Sequence, residues 1–471
     1  MSGVESLASR LAVLEDEAAG ADRAQPVIAD LVAPDENPGT VTDRICFLVL
    51  RQHTPLWWWA GLGAAMLMLA IGFVSLAWLF DNGISVFGND WPVMWGFPIL
   101  LYVWWIGIAS GGTFVSALFF LTGSSWRTST NRIAETMMVC AVASAGVYPI
   151  LHLGRPWFAY WLFPYPNTME LWPQWRSPLV WDFYALLTYV VTSLIFWYVG
   201  LLPDLASVRD RAQSRPKQVI YGVLAMGFRG SDRQWRHYRA TYGVMAAIMA
   251  PVVVSIHSFV GLDFAGGQSP GWHSTQFPPF FVFGALLSGL ALVLVLLIAL
   301  RHLYRLGAYI TGRHFDVFGK LLLASSLALG YSYMMDAFST FYGQDRADHT
   351  MFVERVFGLY WPVYWGTILF NILLPQLMWS RRLRLSQPVL LLVSASAIVG
   401  MLLERYEIVV TSLHRPRLPS AWGNFFSTIW DWGLFTGTIG LFLFLFLLAI
   451  RFLPVVSMAE MRKLLAERGA S

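Results

Sequence analysis

The chain has 471 residues, of which 56% are hydrophobic, 16% aromatic and only 13% charged, and its mean hydropathy is +0.55. A soluble domain is nearer a quarter charged, so the solvent this composition fits is lipid. The net charge of +4 reads as loop Lys and Arg that orient the protein and not as a nucleic-acid footprint. Cys46 and Cys140 lie far apart in no metal spacing, with no CxxC or CxxCH, which argues against iron–sulfur centres and c-type haem in this chain.

The first 40 residues are polar and acidic (Glu5, Glu15, Asp16, Glu17) and lack an apolar signal core. Residues 1–54 are therefore expected to form a cytoplasmic tail. A spanning helix needs roughly 20 apolar residues. About ten such runs follow by that rule, at 56–80, 93–122, 133–153, 177–203, 241–261, 278–302, 316–340, 358–379, 387–410 and 427–452. Backbone polar groups must be satisfied inside lipid, so the runs are helices and the fold class is an all-α integral membrane protein. The alternating pattern of an outer-membrane barrel is absent. Twenty-three Trp and eighteen Tyr suit the two membrane interfaces.

Loop charge sets the direction. The 204–240 connection carries Arg209, Arg211, Arg215, Lys217, Arg229, Arg233, Arg236 and Arg239, and basic residues recur at 303–315 and 380–386. Loops 81–92 and 262–277 hold no Lys or Arg. The positive-inside bias then places both termini and the basic loops in the cytoplasm of a bacterial inner membrane. Within 204–240, "QVIYGVLAMGF" fits an amphipathic surface helix or, equally, a solvated loop with a short buried turn. The economical packing divides the chain into a first helix and external loop at 55–91, a four-helix bundle at 92–277 and a second at 278–426. A last helix and cytoplasmic tail occupy 427–471.

Ionisable side chains are costly inside a membrane and default to functional hypotheses. The third span runs outward and places Tyr148, His152 and Arg155 on one face near its external end, with Pro149 kinking it. The fourth span starts at "RSPLVWDFYAL", which puts Asp182, followed by Tyr184, just inside the same boundary. The fifth delivers His257 and Asp263. These two are six residues apart and face different ways, and Asp263, just before Gly266 and Gly267, is preferred for the shared pocket. Any one of these residues alone could snorkel or cap a backbone group, and the convergence of adjacent spans is what favours a site. A second polar line comprises Tyr331, Tyr333 and Asp336 in the seventh span and Asn371 in the eighth, whose carbonyl Pro375 frees. It continues with Glu404, Arg405 and Glu407 in the ninth span and Asp431 in the tenth. This line fits a proton relay, or ion pairing of Arg405 with Glu404 or Asp336.

Histidine and carboxylates at a membrane boundary among aromatic walls suit a quinol. Its oxidation sheds two protons with two electrons, and each phenolic hydroxyl needs a base within hydrogen-bond reach. His152 is the expected acceptor of one proton and Asp182 or Asp263 of the other. Arg155 would hold a carboxylate ionised. The chain offers no electron carrier. The candidate haem ligands within the expected spans are His152 and His257, enough for one bis-histidine haem but not for two. The acceptor is expected on a partner docked at the external face, and no metal ligand set is expected here.

The stretches "HLGRPWFAYWLFPYPN", "RSPLVWDFYAL", "GLLPDLASVRDRA" and "LDFAGGQSPGWHSTQFPPFFVFGALLSG" resemble the NrfD/polysulfide-reductase membrane family. Within it they resemble the C-type membrane component of bacterial alternative complex III, a quinol:electron-acceptor oxidoreductase, over most of the chain from about Thr40. The resemblance implies two four-helix bundles, spans two to five and six to nine, with one flanking helix at each end. It places the quinol site on His152, Asp182 and Asp263, with menaquinol the favoured substrate and no redox cofactor in this chain. It also implies an external iron–sulfur subunit, c-type haem subunits, a second NrfD-like membrane subunit, and a soluble carrier or terminal oxidase reached through them. A proton-translocating second bundle would recruit Asp336 and Glu404. The competing expectations are the anchor of a polysulfide-reductase-type molybdoenzyme and a secondary transporter, whose sites tend to lie at mid-membrane.

Overall fold

The computed structural model describes residues 31–470 except 90, 92, 94, 154, 163–174 and 177. The acidic segment of residues 1–30, and much of the "WLFPYPN" stretch, therefore lie outside the described residues. Every regular element among those described is helical. We number the main helices α1 (Pro38–Leu50), α2 (Leu56–Asn82), α3 (Phe97–Leu121), α4 (Asn131–Leu151), α5 (Pro178–Arg211), α6 (Arg215–Leu224) and α7 (Asp232–Ala265). They continue as α8 (Phe277–Leu303), α9 (Gly312–Gly343), α10 (Arg346–Phe357), α11 (Trp361–Trp379), α12 (Gln387–His414), α13 (Ile429–Phe452) and α14 (Met458–Ala470). Nine are long and apolar enough to cross a membrane, and the bent pair α10–α11 makes up to ten.

Helices α3, α4, α5 and α7 pack as one group and α8, α9, α11 and α12 as another. They meet where α3 and α7 lie along α8. At that seam Gly111 and Gly289 touch backbone to backbone, and a Cβ on Gly111 would fall 2.1 Å from the Gly289 carbonyl carbon. Small residues at a membrane helix crossing permit this approach. In α3, 83% of the apolar stretch is buried, against 22% in α2. So α3 is a central helix, while α2 turns Met66, Leu67, Phe73 and Val74 outward to lipid. The two flanking helices come from opposite ends of the chain yet pair with each other. A Cβ on Gly72 of α2 would lie 2.5 Å from the Cα of Gly437 in α13, and Trp58 Nε1 donates to the Leu447 carbonyl at 2.8 Å.

Several expected boundaries move. The fourth span continues through Pro203 to Arg211, and the fifth begins at Asp232, so the basic connection is mostly helix. Ser231 starts α7 with a capping box, its hydroxyl accepting from Gln234 N at 3.3 Å. The first part of "QVIYGVLAMGF" is helical, in α6, with Val219, Ile220 and Val223 exposed, and the chain turns after Leu224. The N-terminal segment holds α1, which starts at Pro38 under an Asn37 cap and buries Val41, Ile45, Cys46 and Val49. The eighth span is not one rod: α10 and α11 meet at 80°. Four more imidazoles lie on the spanning helices, His237 in α7, His302 in α8, His314 in α9 and His414 in α12, all at or beyond the ends of the expected apolar runs. Asp431 turns out to be the capping-box residue of α13, accepting from Thr428 N at 2.7 Å.

Candidate functional site

Loops 204–240, 303–315 and 380–386 define a basic end of the molecule. At the opposite end α3, α5 and α7 bring together Tyr102, Asp182 and Asp263. Asp182 is 6% exposed, and the Tyr102 hydroxyl donates to its Oδ2 at 2.6 Å. Its Oδ1 is buried without a hydrogen-bond partner, and so is Oδ1 of the half-buried Asp263. The two carboxyl groups lie within electrostatic reach of each other, and Tyr102 feels both. A buried polar atom without a partner carries a desolvation cost of roughly 1–3 kcal/mol. Two such atoms, on carboxyl groups within electrostatic reach of each other, suit a ligand that donates hydrogen bonds. Tyr102 was not anticipated. The signal for it is a hydroxyl in the apolar run "FPILLYVWW", at the same depth from the helix start as Asp182 on its own helix.

A groove of about 650 Å³ lies between α5 and α7, the helices that carry Asp182 and Asp263. On α5 it is lined by Trp181, Tyr184, Ala185 and Thr188, and on α7 by Val252, Ile256 and Phe259. The helical repeat carries the α7 line from Val252 through Ile256 and Phe259 to Asp263. The Tyr184 ring stacks on Trp175 at 5.6 Å. Tyr184 thus belongs to the apolar groove, whereas Asp182 is buried on the inner face of the same helix.

The other expected residues separate. The fourth helix is interrupted at Val147, two residues before Pro149, and His152 follows, half-buried, with Nδ1 3.2 Å from the Tyr148 carbonyl. A proton on Nδ1 would leave Nε2 as an acceptor. No hydrogen bond or ion pair joins His152 to either aspartate among the described residues. Tyr148 does not share a surface with it: fully buried, it bonds Thr438 Oγ1 at 2.8 Å and ties α4 to α13. Arg155 is exposed and forms no ion pair among the described residues. His257 is buried on the other side of α7 from Asp263, with Nδ1 3.0 Å from the Val253 carbonyl and Ser110 Oγ 3.2 Å from the ring.

The second helix group contains its own polar cluster. Asn371 Nδ2 donates to the Tyr333 hydroxyl at 3.0 Å, Tyr333 donates in turn to Glu404 Oε2, and Glu404 Oε1 lies 3.1 Å from Arg405 Nη1. That last pair is close enough for an ion pair, but its atoms are not aligned for a hydrogen bond. The Arg405 guanidinium also covers the Phe281 ring at 4.0 Å. Asp336 does not join Arg405. It lies 3.9 Å from Arg355, which is equally close to Glu407 and donates to Ser412 Oγ at 2.8 Å. A small cavity of about 40 Å³ lies between Tyr333, Asp336, Arg355, Glu404 and Glu407. Tyr331 is 55% exposed on the outer surface of α9 and takes no part. The Asn371 carbonyl accepts from Ser326 Oγ at 2.6 Å. Both Asn371 and Glu407 sit in π-helical turns, Leu369–Leu373 and Glu407–Thr411, which recur at functional sites.

A further buried network was missed by sequence reasoning. Near the basic end Arg132 binds Glu135 at 2.5 Å and Asp204 at 3.0 Å, and Tyr242 donates to Glu135 at 2.7 Å. All four residues are almost wholly buried. The Arg–Glu spacing of three in "NRIAE" is its local signal; Asp204 comes from the far end of α5.

Helices in this number and of this apolarity, with carboxylates gathered at one end, define a multi-pass membrane subunit. The sequence pattern of the family described as "Polysulphide reductase, NrfD" matches residues 85–417. The chain belongs to that family, whose membrane subunits are parts of oxidoreductase complexes and interact with quinones. It is 28% identical over 235 residues to a putative dimethyl sulfoxide reductase membrane subunit of Halobacterium salinarum, covering 50% of each chain. It is 21% identical over 410 residues to a selenate reductase subunit of Mesobacillus selenatarsenatis, covering 82% of this chain and 91% of the relative. The chain therefore spans about half the length of the first of these relatives and nearly all of the second.

Proposed function

We propose that this chain is the quinol-binding subunit of a quinone-linked oxidoreductase complex. The observation that carries the reading is the pair of unpartnered carboxyl oxygens, Asp182 Oδ1 and Asp263 Oδ1, on the two helices that also line an apolar groove. The ring of a quinol enters along Tyr184 and Phe259, with its isoprenoid tail left between α5 and α7. Its two hydroxyls donate to the two carboxylates. Each O–H bond breaks with the proton passing to an aspartate, and the two electrons leave one at a time to an iron–sulfur centre on a partner subunit. The product is the quinone. His152, half-buried beyond the kink in α4, takes a proton on Nε2 and hands it to solvent. The loop-charge asymmetry supports an external position for the aspartate end, with both termini cytoplasmic.

Among possible assemblies we place first alternative complex III, oxidising menaquinol, with c-type haem subunits and a second NrfD-like membrane subunit. The four long matching stretches support it. The second reading, the anchor of a polysulfide-reductase-type molybdoenzyme, is favoured by the names of the two relatives, both reductase subunits. Purifying the native assembly and identifying its subunits separates the two: c-type haem supports the first, a molybdopterin subunit without it the second. The site itself is tested by Asp263→Asn and Asp182→Asn. Each should lower quinol turnover by about 10²–10⁴-fold, the range of a lost general base, in complexes that still assemble. Full turnover in both variants would end the proposal.

A further inference from the structure

At the basic end, away from the quinol groove, a cleft of about 490 Å³ opens between α1, the end of α5 and α6. Its wall carries Arg51, Arg211 and Lys217 against one carboxylate, Asp43. Asp43 pairs with Arg211, and Lys217 Nζ donates to the Leu50 carbonyl at 3.0 Å. Among the described residues Arg51 has no acidic partner: its guanidinium lies over the Tyr304 ring at 5.2 Å, and its Nε and Nη2 are buried without a hydrogen-bond partner there. Arg451 lies close by and donates to Thr54 Oγ1 and to the carbonyls of Val49 and Arg51. Burial pushes the Cys46 thiol up to about 12, so this lining residue adds no negative charge. The cleft is thus cationic by composition and short of anions.

The surroundings fix its depth. Phe47 of α1 lines the cleft and is exposed, and Val219, Ile220 and Val223 are exposed on α6, the helix that brings Lys217 to it. A short helix with such a face lies in the interface with its apolar side in the acyl region. The spanning helix α2 begins at Leu56 just beyond, with Trp57, Trp58 and Trp59 in its first turn, the residue type that marks headgroup level. A basic pocket at this level, bordered by apolar side chains, has the complementarity of an anionic phospholipid. We propose that this cleft holds the phosphate of an anionic phospholipid, with its acyl chains along Phe47 and the apolar face of α6. A zwitterionic lipid is disfavoured, because its ammonium group would add a cation where two are already unneutralised.

The test uses the whole complex in mild detergent, stripped of loose lipid and titrated by native mass spectrometry and thermal shift. The three probes are phosphatidylglycerol, phosphatidylcholine of the same chain length, and inorganic phosphate. Phosphatidylglycerol should bind and stabilise, the other two should not, and Arg51→Gln or Lys217→Gln should weaken that binding about fivefold per cation. Equal binding of phosphatidylcholine, or unchanged binding in both variants, overturns the proposal. Inorganic phosphate matching the lipid would mark a free-anion site and overturn it as well. Should Arg51→Gln fail to assemble, Lys217→Gln, at a half-buried side chain on the rim, decides alone.

Discussion

The hydrogen bond from Tyr102 to Asp182 divides the labour of one carboxyl group: Oδ2 is held by protein and Oδ1 is left for something else. This gives Tyr102 a positioning role with a particular signature. Tyr102→Phe should keep the complex intact and raise the KM for quinol more than it lowers kcat, by about tenfold, the worth of one hydrogen bond to a charged group. Parallel loss of kcat and assembly would instead mark a packing residue. The charged members of this site were legible in the sequence because a carboxylate inside an apolar run stands out. Tyr102 was not, because one tyrosine among eighteen, in a chain with a 16% aromatic content, carries no such contrast. Tyr148 shows the converse: its place in the α4–α13 seam depends on Thr438, 290 residues away, and no local spacing reveals that. The buried Arg132 network belongs to the same class. Removing the guanidinium leaves Glu135 and Asp204 uncompensated, so Arg132→Ala should destabilise the subunit by about 3–5 kcal/mol. The expected sign is loss of assembled complex in a heat-challenge assay, with Gly63→Ala, at a position open on all sides, as the neutral control.

At the scale of elements, the apolar runs located nearly every span, since a length of about 20 apolar residues is set by the bilayer itself. What they did not give was irregularity. The 80° break between α10 and α11 falls at "FGLYW", where Gly358 ends one helix and Pro362 opens the next; the polar content of α10 had hidden it as loop. The π-turns at Leu369–Leu373 and Glu407–Thr411 follow from packing and have no local sequence code. Helix pairing was likewise silent in the hydropathy and is written in the glycines. Gly72→Leu would drive a side chain into the Gly437 backbone, and overpacking of this kind costs about 1–3 kcal/mol. The α2–α13 pair should separate while the groove on α5 and α7, the proposed quinol approach, stays formed. The measurement is a fall in the midpoint of thermal unfolding with unchanged KM in the surviving enzyme.

For the whole molecule the arrangement poses one question, whether the second helix group does more than support the first. Its chain from Asn371 through Tyr333 to Glu404 is continuous in hydrogen bonds, and the cavity beside it is bounded by Asp336, Arg355 and Glu407. We read this as a proton path rather than a set of structural ion pairs, because, although Glu404 is paired with Arg405 at 3.1 Å, Asp336 and Glu407 beside the cavity have only a distant cation. Arg355 stands 3.9 Å from both Asp336 and Glu407, distances too long for a hydrogen bond and suited to an intervening water. The loop after α7 ties the two groups together through Trp272 Nε1, which donates to the Ile408 carbonyl at 2.6 Å, inside the π-turn that holds Glu407. A change at the aspartate end therefore has a short mechanical route to the cluster. In sealed vesicles Glu404→Gln should lower the number of protons moved per electron while quinol oxidation in the presence of an uncoupler proceeds at close to the normal rate. A path confined to the first helix group predicts the opposite, an unchanged ratio, and that outcome would return the Glu404 cluster to a supporting role.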